Sequence, residues 1–185
     1  MAEIKPFLPV KLICGLISRE IFYFKAAQER LVELFGPIDL ESSFYPFNYT
    51  NYYNQEMGPN LRRQFLSFAQ LIDPSKLSQI KHQTNDLEEK LKKKFNSPGR
   101  VVNIDPGIIT QAALIMATTK NFAHRIPLQD GIYGHLEFLF RRQAIRTLEW
   151  TYPDFRQETY HAFFLEVRKI YLRQLASFLI DKCQK

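Results

Sequence analysis

Polar side chains gather between Asn103 and Arg125, at the ends of otherwise apolar runs. Asn103 and Asp105 close one strand-like run at Pro106-Gly107, and Thr118, Thr119, Lys120, His124 and Arg125 follow the next. Residues at such ends reach clefts that a rigid scaffold holds open. Lys120 offers a point charge and Arg125 a bidentate fork, both suited to a phosphate or carboxylate. His124 can transfer a proton near neutral pH or donate a hydrogen bond. The plainer alternative is a solvated loop in which Asp105 pairs with Arg125 and caps a short helix.

A second segment, Tyr45 to Gly58, interleaves Tyr49, Tyr52 and Tyr53 with Asn48, Asn51 and Asn54. Tyrosines stack on nucleobases and bind polar atoms through their hydroxyls, although aromatic residues also suit the packing face of a strand. Glu56 follows as a candidate acid, metal ligand or partner for Arg62 or Arg63. Asn48-Tyr49-Thr50 matches a glycosylation sequon, which is expected to be a chance match because no secretory signal is expected.

Several chemistries lack their residues. The seven glycines form neither GxxxxGK(S/T) nor GxGxxG, so a phosphate loop of those types is not expected. Histidines 82, 124, 135 and 161 make no HxxxH or HExxH, Cys14 and Cys183 make no CxxC, and no GxSxG elbow occurs. No metal site and no cofactor are expected.

The elements that position these residues belong to one domain spanning 1–185. The chain is 45% hydrophobic and 24% charged, which fits a globular domain and rules out collagen-like, coiled-coil and disordered classes. A net charge of +6 favours anionic partners without requiring nucleic acid. The longest uncharged stretch, Pro106 to Thr119, is 14 residues, short of the roughly 20 that cross a bilayer. No membrane span or signal peptide is expected, and the cytoplasm is the expected compartment.

Val10 to Ile17 reads as a buried strand, and a helix from Ser18 as N-cap runs to Gly36-Pro37. Strands are predicted over Asp39 to Tyr53 and Leu61 to Ile72, turning at Met57 to Asn60 and pairing antiparallel. Asp73-Pro74-Ser75 caps a second helix, which carries Leu77, Ile80, Thr84, Leu87 and Leu91 on one face and ends at Asn96 to Gly99. A strand over Arg100 to Ile104, a turn at Asp105-Pro106-Gly107 with one helical turn, and a strand near Ala112 to Thr118 come next. Gly131 to Arg141 alternates Ile132, Gly134, Leu136, Phe138 and Phe140 on one face, with Ala144 to Trp150 returning as a hairpin. A long amphipathic helix starts near Asp154. The class is α+β, a mostly antiparallel sheet packed by helices, with each half reading as strand, helix, strand, strand, helix, a pattern that suggests diverged duplication.

The motifs KLICGLIS, FGPIDLESSFYPFNYTNYYNQEMG, LRRQFLSFAQLI, NIDPGII, ATTKNFAHRIPLQDGIYGHLEF and WTYPDF occur in one order between Lys11 and about Lys169. In this the chain resembles bacterial domain-of-unknown-function family 4416. The resemblance implies no activity. Pro127 and Ile108 depart from the family's pattern, which has an aromatic residue and a tyrosine there, and both leave the charged positions intact.

Three functions are therefore expected in competition. The first is binding of an anionic ligand, a nucleotide or RNA, through Lys120, Arg125, His124, Asn103, Tyr52 and Tyr53. An enzyme using Asp105 or Glu56 with His124 as an acid-base pair is the second. The third is a protein-interaction module with no small-molecule site.

Overall fold

A computed structural model describes residues 3–50 and 52–183; Asn51 lies outside them. Among these residues nine strands form one antiparallel sheet: β1 (Val10–Ser18), β2 (Ile38–Glu41), β3 (Tyr45–Pro46), β4 (Arg62–Ile72), β5 (Val102–Ile109), β6 (Ala113–Thr118), β7 (Ile126–Pro127), β8 (Tyr133–Phe140) and β9 (Ile145–Thr147). Their order is β2-β4-β1-β5-β6-β8-β7, with β3 also on β4 and β9 also on β8. Four helices accompany them: α1 (Ile21–Phe35), the single turn α2 (Asn54–Met57), α3 (Leu77–Lys94) and α4 (Glu158–Cys183). The protein is α+β, with helices on both faces of the sheet.

Alternation along β1 divides the core. Leu12, Cys14 and Leu16 meet α1 through Phe24, Ala27 and Leu31, and α3 through Ile80, Leu87 and Leu91. Ile13 points the other way, into a cluster with Phe65, Phe138 and the α4 residues Phe164, Val167 and Tyr171. Every residue of β1 is buried, which explains its apolar run, interrupted only by Lys11 before Ser18 ends the strand. Full burial of each large side chain contributes about 1.5–3 kcal/mol. Lys11 is tolerated in that run because its ammonium pairs with Asp39 and donates to Gln174 Oε1 at 2.9 Å.

Several local expectations need correction. Ser18 does not cap α1; its hydroxyl donates to the Val101 carbonyl at 2.6 Å, and Glu20 is the N-cap. The strand predicted over Asp39 to Tyr53 exists only as β2 and β3. After Pro46 the chain leaves the sheet, forms α2, and ends that turn at Gly58 with φ 79°. Asp105-Pro106-Gly107 is no turn but the middle of β5, and the turn lies at Thr110, whose Oγ1 accepts from the N–H groups of Ala112 and Ala113 at 3.2 and 3.0 Å. With β5 and β6 joined directly, the second half does not repeat the helix that follows β1. In β8 the register against β6 shifts between Leu136 and Phe138, so His135, opposite Met116, shares the α4 side with Phe138 while Leu136 does not.

Elsewhere the elements fall where expected with shifted ends: β9 covers only Ile145–Thr147 of the stretch Ala144 to Trp150, and α4 begins at Glu158, after Asp154. Asp73 accepts from Ser75 N at 2.8 Å and caps the 3-10 turn leading into α3. β9 does return against β8. A 3-10 turn at Asp154–Arg156 precedes α4. No helix among the described residues is long and apolar enough to cross a membrane.

Candidate functional site

The sheet splits where β5 and β6 should meet. Their pairing covers only Gly107 to Ile109 against Met116 to Leu114, whereas β1 accompanies β5 along its whole length. Residues 102–106 therefore have a strand on one side and a gap on the other. Pro106, which has no N–H to donate, stands one residue before the second pairing begins. From α3, Lys81 reaches this region, where its Nζ donates to the Ile104 carbonyl at 3.0 Å and lies 3.3 Å from Asp105 Oδ1. A cleft of about 530 Å³ opens at the split, lined also by Tyr49, Thr50, Tyr52 and Tyr53 and by Tyr152 to Phe155.

Arg63 of β4 lines the cleft and is 5% exposed. Its Nη2 is 3.1 Å from Asp154 Oδ2, and its guanidinium lies among the rings of Phe47, Phe65 and Phe155, 4.9–5.4 Å from their centroids. Among the described residues Nε and Nη1 have no acceptor. Burial opposes the guanidinium charge, but Asp154 and Asp105 outweigh that opposition and hold it ionised. Asp154 is 4% exposed; burial pushes its carboxyl above the ordinary range, against the pull of Arg63.

Asp105 is the end of a chain of fixed groups. Asn103 Nδ2 donates to Asp105 Oδ2 at 2.6 Å, while Arg100 Nη1 donates to Asn103 Oδ1 at 2.6 Å and to Glu88 Oε2 at 3.1 Å. Glu56 closes the chain by accepting from Arg100 Nη2 at 3.0 Å. Its backbone approaches Gly99 so closely that a Cβ there would meet the Glu56 carbonyl oxygen at 2.3 Å. Glu88 also accepts from Ile104 N at 2.6 Å, and burial raises its carboxyl to about 7 despite Lys81 and Arg100.

Opposite, Arg125 works behind the wall. Its Nη2 donates to the Tyr152 hydroxyl at 2.6 Å, Nη1 to the Lys120 carbonyl at 2.7 Å and Nε to His135 Nδ1 at 3.4 Å. A guanidinium only donates, so Nδ1 of His135 is an acceptor and the ring proton belongs on Nε2, 3.0 Å from Glu137 Oε2. His124 also sends Nε2 to His135 Nδ1, at 3.0 Å, and stacks on Trp150 with an interplanar angle of 9°. Desolvation, aided by His135 and Arg125, holds His124 below the usual imidazole range. His135, stacked on Tyr152, is thus a fixed piece of wall.

A family model, described as a domain of unknown function (DUF4416), matches residues 8–171. The chain belongs to DUF4416. The matched span contains every strand and all the residues that line the cleft. Searches of curated proteins and of solved structures find no match.

In this DUF4416 chain, the sequence candidates Asn103, Asp105, Lys120, Tyr52 and Tyr53 line one cleft, together with Tyr49, Thr118 and Thr119 from the same two segments. Lys120 Nζ sits 4.1 Å from the centroid of the Tyr52 ring. His124 and Arg125 instead hold His135 and Tyr152, which do line it, and Glu56 holds Arg100. Asp105 pairs with Lys81, not Arg125. The sequence reading missed Arg63, Lys81, His135, Tyr152 and Asp154. Four cations, Arg63, Lys81, Arg100 and Lys120, face two carboxylates, Asp105 and Asp154, around the cleft. Among the described residues no group of three or more His, Cys, Asp or Glu is placed to hold a metal ion.

Proposed function

We propose that this DUF4416 protein binds a small anionic ligand with a planar ring, of the nucleotide class, in the cleft between β5 and β6. The observation that carries the reading is Arg63, a guanidinium on the lining of the cleft whose Nε–H and Nη1–H are buried without an acceptor among the described residues. Leaving a buried donor unpaired costs about 1–3 kcal/mol, more for a charged group, and a phosphate or carboxylate oxygen would recover it. Lys120 at the mouth adds a second charge, and Tyr52, Tyr53 and Tyr152 supply ring faces for stacking. The volume suits a mononucleotide, within the roughly 300–1,000 Å³ of small-molecule sites. Arg63 and Lys81 are only 5% and 6% exposed, which favours a ligand that enters the cleft over an RNA strand that crosses the surface.

The acid-base alternative draws less support: His124 is engaged by His135 and Trp150, and Glu56 by Arg100. Calorimetric titration with the four ribonucleoside 5′-monophosphates, the matching nucleosides and inorganic phosphate tests the proposal. Saturable binding of at least one monophosphate, tighter than its nucleoside and weakened about tenfold or more by Arg63→Gln, is expected. Lys120→Glu, at an exposed position, serves as a second variant if Arg63→Gln does not fold. Absence of binding by every monophosphate, or binding indifferent to both substitutions, would overturn it.

A further inference from the structure

Asp105 places an acceptor in a cleft whose other charged groups attract anions. Its two oxygens take one protein partner each, Lys81 on Oδ1 and Asn103 on Oδ2. An ionised carboxylate has about four lone-pair positions, so acceptor capacity remains on both oxygens. The side chain is 28% exposed and lines the cleft, so that capacity faces the ligand's space. Rotation is blocked by the run Asp105, Asn103, Arg100, Glu88 and Glu56, each bonded to the next or to Arg100.

Position decides what this acceptor would meet. Asp105 stands opposite Gly15 of β1, over which the Arg63 guanidinium lies, and it shares the lining of the cleft with Tyr53 and Tyr152, so it neighbours both the guanidinium and the aromatic walls. A nucleotide with its phosphate on Arg63 and its base among the tyrosines has its sugar between the two. A bare carboxylate there repels an anion but accepts strongly from hydroxyl groups, as acidic residues do toward the ribose 2′-OH in dinucleotide-binding folds. We infer that Asp105 is a specificity-determining residue that accepts from the ribose hydroxyls and selects ribonucleotides over 2′-deoxyribonucleotides. This rests on the nucleotide reading, and it adds to that reading a choice of sugar.

The test compares each ribonucleoside 5′-monophosphate with its 2′-deoxy counterpart, by calorimetry on the native chain and on Asp105→Asn. A site built around a hydroxyl rejects the analogue that lacks it, since the protein acceptor then goes unpaired. The native chain is expected to prefer the ribonucleotide by about tenfold or more, and Asp105→Asn to shrink that preference to about threefold or less. Equal affinity of the native chain for both sugars overturns this inference and leaves the nucleotide reading standing. A native preference that Asp105→Asn retains in full also overturns it, because the selection then comes from another residue. Failure of all eight compounds to bind overturns both. The native comparison needs no substitution, so a poorly folding variant does not block the test.

Discussion

Gly15 of β1 lies directly beneath the Arg63 guanidinium of β4: a Cβ on residue 15 would stand 2.8 Å from Nη1 and 3.1 Å from the Phe65 ring. Gly15 pairs with Phe65 on one side and with Asp105 on the other, so the missing side chain makes room for the Arg63 guanidinium and the Phe65 ring. Gly15→Ala forces Arg63 or Phe65 to move. The expected cost is about 1–3 kcal/mol in urea unfolding, typical of an overpacked interior, together with weaker nucleotide binding. Native stability and native affinity in this variant would show that the space is not needed.

The Arg63 and Asp154 pair predicts a non-additive result. Arg63→Met strands a buried carboxylate and is expected to cost about 3–5 kcal/mol, whereas adding Asp154→Leu removes the stranded charge and returns part of that loss. Unfolding titrations of the two single variants and the double variant measure the coupling. A double variant as unstable as the sum of the singles contradicts the pairing.

Glu88 gives stability a pH dependence. Its carboxyl lies near 7 in the fold against an ordinary 4.5, so the folded state holds the proton more tightly than the unfolded chain. That contribution is fully present below about pH 4.5 and is lost as pH rises through about 7, at about 1.4 kcal/mol for each unit of separation. Glu137 and Asp154 shift in the same direction, so the informative quantity is the difference between native protein and Glu88→Gln. Unfolding free energy measured from pH 4.5 to 8 is expected to fall more steeply in the native chain. Parallel curves would show that Glu88 does not titrate in this window.

Arg125 and Lys120 are expected to separate by mechanism. Lys120→Ala removes an exposed charge and should flatten the salt dependence of binding, because screening then has less attraction to weaken. Arg125→Lys keeps the charge but loses the planar fork that holds Tyr152, the Lys120 carbonyl and His135 together. It should lower affinity severalfold while leaving the salt slope near native. Identical slopes in all three proteins would show that Lys120 does not meet the ligand's charge.

What the sequence revealed depended on how local the signal was. Asn103, Asp105 and Lys120 were visible because polar residues at the end of an apolar run stand out, and β1 was visible because both its faces are buried. Arg125 and His124 carried the same signal, yet their chemistry is spent on Tyr152 and His135, a contact that depends on β8 and β9 and on the Glu137 irregularity. Arg63 and Lys81 did leave traces. Lys81 and Glu88 occupy the buried stripe of α3 with Ile80, Thr84, Leu87 and Leu91, and Arg63 begins the buried run of β4. A charge at a core position is a local conflict that points to a partner or a ligand. The β5 and β6 split was not legible, because it depends on where two strands stop pairing.

The most direct measurement of the central claim follows the Arg63 side chain itself. In ¹⁵N–¹H spectra of arginine Nε groups, Arg63→Lys assigns the Arg63 resonance, and a ribonucleoside 5′-monophosphate is then titrated into the native protein. The Arg63 Nε–H signal is expected to shift saturably, with the affinity found by calorimetry. A nucleotide that saturates the protein while that signal stays still, or one that never binds, would contradict the claim.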